Sequence, residues 1–406
     1  MDRNTITGLV LIGLILTVFS IINKPSEEEI KEQQKKEIAK TEKIKSDKNK
    51  ATVNDTTVRD TTSTNQPVMD DANEMISDTV QPVEKKVVRD TVIKKETDKF
   101  IIHFSNIGGQ IQALYLKEYK SYNNYKANKN EALCLFDKGD HLTAFTFYDG
   151  NTRINTAKWD FDFDNSQANK IIFSCDYKKG KVVQSYQLKN GSFNVDYQVQ
   201  FVKLDNVSKD NIQLTWKTSF LQTEKLLSEQ RRVSTVCFNE VEEGFDYLSE
   251  TSDDESDLEN DVTWIAYKQS YFSSILQPQQ PFQKKKSQMI VRTYSEGSSK
   301  DSTHVKDFQS VLSLNLDKNS NNTVSFKWFF GPNDYEVLKD ANPEYTQILN
   351  FGWGLFRWIN IYAVQPIFNF LLGTGMGLGI AILILTLIIK TLLMPVQWKM
   401  FVSSVK

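Results

Sequence analysis

The last fifty-odd residues limit what this chain can fold into more than any other stretch. Phe351 to Leu372 is aromatic and apolar, glycines follow at 373, 375, 377 and 379, and an apolar run extends from Ile380 to Val396 with Lys390 as its single charge. An apolar segment of about 18 residues can cross a bilayer as a helix. A Lys at the centre of such a helix costs about 2.5–3.5 kcal/mol on insertion scales, and each central Ile or Leu returns roughly 0.3–0.6 kcal/mol. The Ile and Leu residues around Lys390 therefore offset it, and the segment inserts while carrying the charge. A charge kept inside a span marks a functional position.

The amino terminus supplies a second apolar run. Ile6 to Ile22 has no charge and follows Arg3. It ends Phe19-Ser20-Ile21-Ile22-Asn23-Lys24, without the small-x-small pattern of a cleaved signal peptide. Residues 1–24 are expected to be an uncleaved signal-anchor helix, in preference to a cleaved signal. Lys399 and Lys406 beyond the second span face the cytoplasm by the positive-inside rule. Two spans then place residues 25–375 outside the cytoplasm.

Between the spans the chain is polar. Residues 25–99 are rich in Lys, Glu, Asp and Thr and poor in aromatics. Such a composition buries too little apolar surface to offset its ordering entropy, so a disordered tether is expected. From Phe100 the pattern changes to period two, which signals strands with one buried face. Phe193, Val195, Tyr197, Val199 and Phe201 alternate with polar residues, as do Ile212, Leu214 and Trp216, and Val324, Phe326, Trp328 and Phe330. Turn residues such as Lys189-Asn190-Gly191 separate the runs. Residues 100–350 read as an all-β, two-sheet sandwich ending in a short helical segment interrupted near Pro343. Ser249 to Asp261 is an acidic insertion without the glycine and terminal Glu of an EF-hand, and reads as a solvated loop.

Residues 351–374 are expected to form an amphipathic helix along the membrane surface. Trp353, Phe356, Trp358 and Tyr362 suit the interface, with Arg357 among them and Pro366 as a kink. The glycine cluster lacks the preceding strand of a nucleotide loop. Gly373, Gly375 and Gly377 read instead as a hinge into a transmembrane helix over 375–397, with 398–406 opening a cytoplasmic region.

The formal net charge is −2, which gives no nucleic-acid footprint. Cys134, Cys175 and Cys237 form no metal-type pair and read as ordinary thiols. His103, His141 and His304 are scattered, and no motif pairs them with a nucleophile. No catalytic residue, metal or cofactor is assigned, and the chain is read as not an enzyme.

Several segments in order resemble the YidC/Oxa family of bacterial membrane protein insertases. They are Asn106-Ile107-Gly108-Gly109-Gln110-Ile111, then Trp264-Ile265-Ala266 through Tyr271-Phe272, then Phe330-Gly331-Pro332, then Gly352-Trp353, then Thr386-Leu387-Ile388-Ile389-Lys390 with Met394-Pro395. The resemblance spans about residues 100–406. It implies a β-supersandwich-like periplasmic domain between two transmembrane helices in the bacterial inner membrane. It also implies a hydrophilic groove open to the cytoplasm, whose basic residue draws the polar flank of a nascent inner-membrane protein into the bilayer, alone or beside the Sec translocon. Lys390 matches that basic position, where the family usually has Arg. Further helices beyond Lys406, or from a partner, are expected to complete the groove. The alternative from another class is a bitopic binding or scaffold protein whose sandwich holds a carbohydrate or peptide.

Overall fold

A computed structural model describes residues 90–204, 212–314, 322–352 and 354–405. The expected anchor at 1–24 and the tether up to residue 89 lie outside the described residues. What is described falls into two compact units that divide at Asn350 and Phe351.

In the first unit the period-two segments become three antiparallel sheets. The nine-stranded sheet runs in the order Gly244–Tyr247, Thr235–Glu240, Val262–Lys268, Phe272–Pro278, Thr323–Pro332, Asn194–Val202, Gly180–Leu188, Lys170–Tyr177 and Asp162–Asp164. The six-stranded sheet runs Asp254–Asp257, Gln283–Arg292, His304–Leu314, Ile212–Leu221, His141–Asp149 and Thr152–Asn155. A four-stranded sheet comprises Val92–Glu96, Phe100–Ser105, Gln110–Leu116 and Leu133–Phe136. This is the all-β sandwich that the alternation predicts.

Alternation shows why the sheets close on one another. In Asn194–Val202 the odd-numbered Val195, Tyr197, Val199 and Phe201 are buried. Tyr197 lies opposite Tyr186 and Phe326 in the flanking strands and stacks on both, at 4.4 and 5.5 Å between ring centroids. Across the sandwich, Trp216 of the six-stranded sheet stacks on Tyr267 at 3.6 Å and meets Trp328 edge-on at 4.8 Å. Two of the buried polar groups in this aromatic layer are paired, which offsets their desolvation: the Trp216 indole donates to Thr218 Oγ1, and Tyr267 Oη donates to the Trp216 carbonyl.

The Gly108-Gly109 segment has a physical reason for its glycines. Both have positive φ, +77° and +59°, a region that L side chains avoid. A Cβ on Gly109 would also sit 3.0 Å from Gln184 Nε2. The two glycine carbonyls accept from Gln184 Nε2 and Tyr186 Oη, which fastens the four-stranded sheet to the nine-stranded one.

Two boundaries differ from expectation. The first strand, Val92–Glu96, lies inside the segment expected as tether. Its five residues alternate Ile93 and Lys95 inward and pair with Glu96 through Val92 against Ile101 through Ser105. With two lysines and a glutamate it is too short and charged to signal a strand by composition. The acidic insertion is not all loop either: Asp254–Asp257 pairs with Gln288–Val291 as an edge strand. Its carboxylates are spent on backbone amides, Asp254 on Ser249, Asp253 on Thr293 and Asp261 on Lys284. The helical end of the unit matches expectation, with a helix at Tyr335–Ala341 capped by Asp334 and a 3₁₀ turn at Pro343–Ile348 capped by Asn342.

Candidate functional site

The second unit is a helical hairpin. Its long arm is the helix Leu378–Val405, 28 residues, about 42 Å at 1.5 Å per residue. Leu378–Pro395 has mean hydropathy 2.3, long and apolar enough to cross a membrane. Ile380, Leu383, Leu387 and Leu392 are all more than half exposed, so apolar surface faces outward on every side. Such a helix is completed by lipid or by other helices.

Lys390 stands about 18 Å along this helix from Leu378, with its side chain exposed. Thr386 and Gln397, four residues before and seven after it, fall on the same side. They make one polar stripe on an otherwise apolar rod. The neighbouring hydroxyls are satisfied locally: Thr386 Oγ1 donates to the Ile382 carbonyl and Thr391 Oγ1 to that of Leu387, each at 2.8 Å. Such back-bonding removes the penalty of a bare hydroxyl in hydrocarbon. The lysine has no comparable bond among the described residues.

The helix does not stop where 375–397 places its end. It continues through Pro395 to Val405. Proline removes one backbone donor, and the ring crowds the carbonyl four residues back. Gln397, Trp398, Lys399 and Met400 carry no turn signal, so the helix resumes beyond the defect.

The short arm is not one regular helix. An α segment at Gly354–Ile359 passes through a π turn at Asn360–Val364 into a second α segment at Gln365–Gly373. Pro366 sits in the first turn of that last segment, where its missing N–H is harmless. The turn before it widens instead, with the Gln365 N–H reaching the Asn360 carbonyl five residues back. The expected proline kink is thus a π bulge. Phe356, Trp358 and Tyr362 are 59–67% exposed, and the Trp358 and Tyr362 rings lie 5.6 Å apart. Arg357 is half-buried among them. Trp353 lies outside the described residues.

Of the three expected hinge glycines, only Gly375 adopts positive φ, +82°. Gly373 and Gly377 have neither that requirement nor any atom within 4 Å of a built Cβ. The turn is closed by Thr374 and Gly375 N–H groups on the Leu371 and Leu372 carbonyls. Leu371 in the short arm and Ala381 in the long arm are buried. The elbow is a capped turn that needs one glycine, rather than a slack linker.

The β domain brings together groups that sequence spacing could not. His304 Nε2 lies 3.0 Å from Asp140 Oδ1, and Lys300 Nζ lies 2.7 Å from the same oxygen. Burial pushes the Asp140 carboxyl up, but the bonds from His304 and Lys300 outweigh it and leave it below its ordinary value. His141 is buried between Thr218 and Thr143, stacked on Phe136, and burial pushes it down to about 3. His103 packs separately against Tyr115. The three cysteines are free, and burial pushes each thiol up to about 12.

Over its full length the chain is 28% identical to a protein from Parabacteroides distasonis and 26% identical to one from Bacteroides fragilis, each named Membrane protein insertase YidC. The chain spans 65% and 64% of those relatives' lengths. Among solved structures, a galactose mutarotase-like protein from Lactobacillus casei aligns over 59% of this chain and 100% of its own, at 11% identity and a TM-score of 0.37. That superposition is too loose to carry a fold or a ligand. The family described as the YidC periplasmic domain matches residues 92–369, a span that takes in the three sheets and most of the short arm of the hairpin. The chain belongs to the YidC periplasmic domain family.

Proposed function

We propose that this chain serves the insertion and folding of bacterial inner-membrane proteins, alone or beside the Sec translocon, with Lys390 as the cation that receives the polar flank of a client. The observation that carries this reading is an exposed lysine on the polar side of a helix that is otherwise apolar all round. The relatives named as insertases support it. In a medium of low dielectric, a cation attracts carboxylates and carbonyl oxygens far more strongly than in water. A client's polar flank therefore gains a partner partway into the bilayer, and partition of its apolar segment completes the transfer. Other helices would enclose the lysine in a groove. Residues 1–24 and the helix from Leu378 would span the inner membrane, with 25–375 periplasmic, the short arm interfacial and Gly375 setting the angle between the arms.

The bland alternative for Lys390 is that it only reaches along its own stem toward the headgroups. Replacing Lys390 by Ala in the complete membrane protein separates the two. Loss of client insertion, with protein level and topology kept, is expected. Unchanged insertion would reduce Lys390 to a topology anchor. Lys390→Arg is expected to retain function, since both carry the charge.

A second reading, a sandwich that binds a polar polymer, is favoured by a groove of about 610 Å³ across the six-stranded sheet. Ala144, Arg153, Thr215, Gln288 and Gln309 are among the residues that line it. Binding of soluble oligosaccharides by the chain, abolished by Thr215→Trp, would put this reading first.

A further inference from the structure

The turn Lys189-Asn190-Gly191 carries a chemistry of its own. It joins the strands Gly180–Leu188 and Asn194–Val202, and all three residues are exposed. Asn190-Gly191 is the only Asn-Gly pair in the chain. In such a pair the backbone nitrogen of the glycine can attack the side-chain amide carbon of the asparagine. Glycine has no side chain to obstruct the approach, and a Cβ built on Gly191 meets nothing within 4 Å.

That nitrogen is held in place. The Gly191 N–H donates to both carboxylate oxygens of Asp98, at 2.7 and 2.9 Å, across 93 residues of sequence. Asp98 lies in the turn between Val92–Glu96 and Phe100–Ser105. It is exposed, and its carboxylate has no other partner among the described residues. The neighbours of Asp98 fix the two turns against each other. The Phe100 ring meets Phe193 edge-on at 6.0 Å, and Lys99 Nζ lies 5.3 Å from the centre of the same Phe193 ring.

We propose that Asn190 is a site of intramolecular deamidation and that Asp98 is the residue that restrains it. In the reaction the Gly191 nitrogen loses its proton to solvent base and bonds to Asn190 Cγ. The bond from Cγ to the side-chain nitrogen breaks, and that nitrogen takes up a proton and leaves as ammonia. Water then opens the cyclic imide, at Cγ to give aspartate or at the backbone carbonyl to give isoaspartate. Water is the only co-reactant, and nothing is oxidised or reduced. Asp98 opposes the first step twice. The nitrogen must give up a hydrogen bond to an anion, which is stronger than one between neutral groups. The negative charge that develops on the nitrogen is also repelled by the carboxylate beside it. Once the imide has formed, its nitrogen has no hydrogen to donate and the tie to Asp98 is gone. Ring opening leaves a second carboxylate facing Asp98. Isoaspartate also adds one carbon to the main chain between strands whose Tyr186 and Tyr197 stack. Modification therefore releases the hairpin turn at Asp98 from the nine-stranded sheet. The site lies wholly within the β domain and is independent of the reading given to Lys390.

The test incubates the full chain, in detergent, in mildly alkaline buffer. Mass spectrometry of the digest then follows aspartate and isoaspartate at position 190. A synthetic peptide spanning Gln187 to Val195 is the unrestrained reference. The folded chain is expected to react at least roughly tenfold more slowly than the peptide, as for one hydrogen bond to a charged group. Asp98→Ala should raise the rate in the folded chain by roughly tenfold. Asp98→Asn, which keeps an acceptor without the charge, should raise it by a smaller factor. Amide hydrogen exchange along the ladder between Gly180–Leu188 and Asn194–Val202 should be unchanged in both variants. Rates unaffected by both substitutions would overturn the proposal. So would slower reaction in the variants, which would make Asp98 a base for the attack, or acceleration together with faster exchange along that ladder, which would assign the effect to a loosened hairpin.

Discussion

The two units use the same residue types in opposite ways. In the β domain Trp216, Trp264 and Trp328 are at most 1% exposed, whereas Trp358 and Trp398 of the hairpin are 59% and 65% exposed. Apolar surface removed from water is worth roughly 25 cal/mol per Å², so each unit shows where its solvent lies. The sandwich makes its own interior from facing sheets. The hairpin has almost none, with Leu371 and Ala381 its only buried apolar side chains among the described residues, and its surroundings must finish it. Stability is therefore an internal property of one unit and an environmental property of the other.

The largest expected break in this contrast is Trp216→Ala. It removes a ring stacked on Tyr267 and the donor to Thr218, and a loss of about 3–5 kcal/mol is expected in denaturant unfolding of the β domain within the detergent-solubilised chain. Leu387→Ala in the hairpin should leave that transition within about 0.5 kcal/mol. If both substitutions shifted it alike, the two units would be one cooperative structure.

A second effect follows from pH. His141 is held neutral by burial, with its value near 3 rather than its ordinary 6.5. Below pH 6.5 the unfolded chain takes up a proton that the folded one refuses. Stability is thus complete above about 6.5 and falls steadily toward pH 3. Between pH 7 and pH 4.5 the β domain should lose about 2.5 kcal/mol from this residue, measured as the shift in urea midpoint. His141→Gln should flatten that slope, and a retained slope would assign it to other groups. Asp140, held below its ordinary value, adds a loss in the same direction only below about pH 4.

The smallest and most local comparison is between glycines. A Cβ on Gly180 would collide with the backbone carbonyls of Val202 and Lys203, so Gly180→Ala should destabilise the sandwich by about 1–3 kcal/mol. Gly377 has open space and negative φ, and Gly377→Ala should change thermal stability by no more than about 0.5 kcal/mol. A large effect at Gly377 would mean that the elbow works as a flexible joint.

What was legible in the sequence is what local chemistry dictates. Period-two runs such as Phe193 to Phe201 declare strands because one face must be buried, and Pro343 declares the break in the terminal helix. The apolar run around Lys390 declares a helix of spanning length. What was not legible depends on distant residues meeting. Asp140 and His304 are separated by most of the domain, and a groove beside Tyr271 draws on stretches as far apart as Tyr119, Thr223 and Pro332. The strand Val92–Glu96 was hidden by its charges, since only its pairing with Ile101–Ser105 makes it a strand. The helix running through Pro395 and the π bulge before Pro366 were missed for one reason: a proline states what it forbids, and not how its neighbours adjust. The three hinge glycines looked equivalent, yet only the φ of Gly375 requires one.

The strand that leads out of the sandwich toward the hairpin is Thr323–Pro332, and it lies inside its sheet, paired with Asn194–Gln200 on one side and Phe272–Pro278 on the other. An edge strand under tension peels away one hydrogen bond at a time. An interior strand pulled along its axis must slide past both neighbours at once and break two ladders together. A pull on the residues that follow Pro332 therefore meets resistance from two ladders at once, and the domain yields there by shear rather than by unzipping.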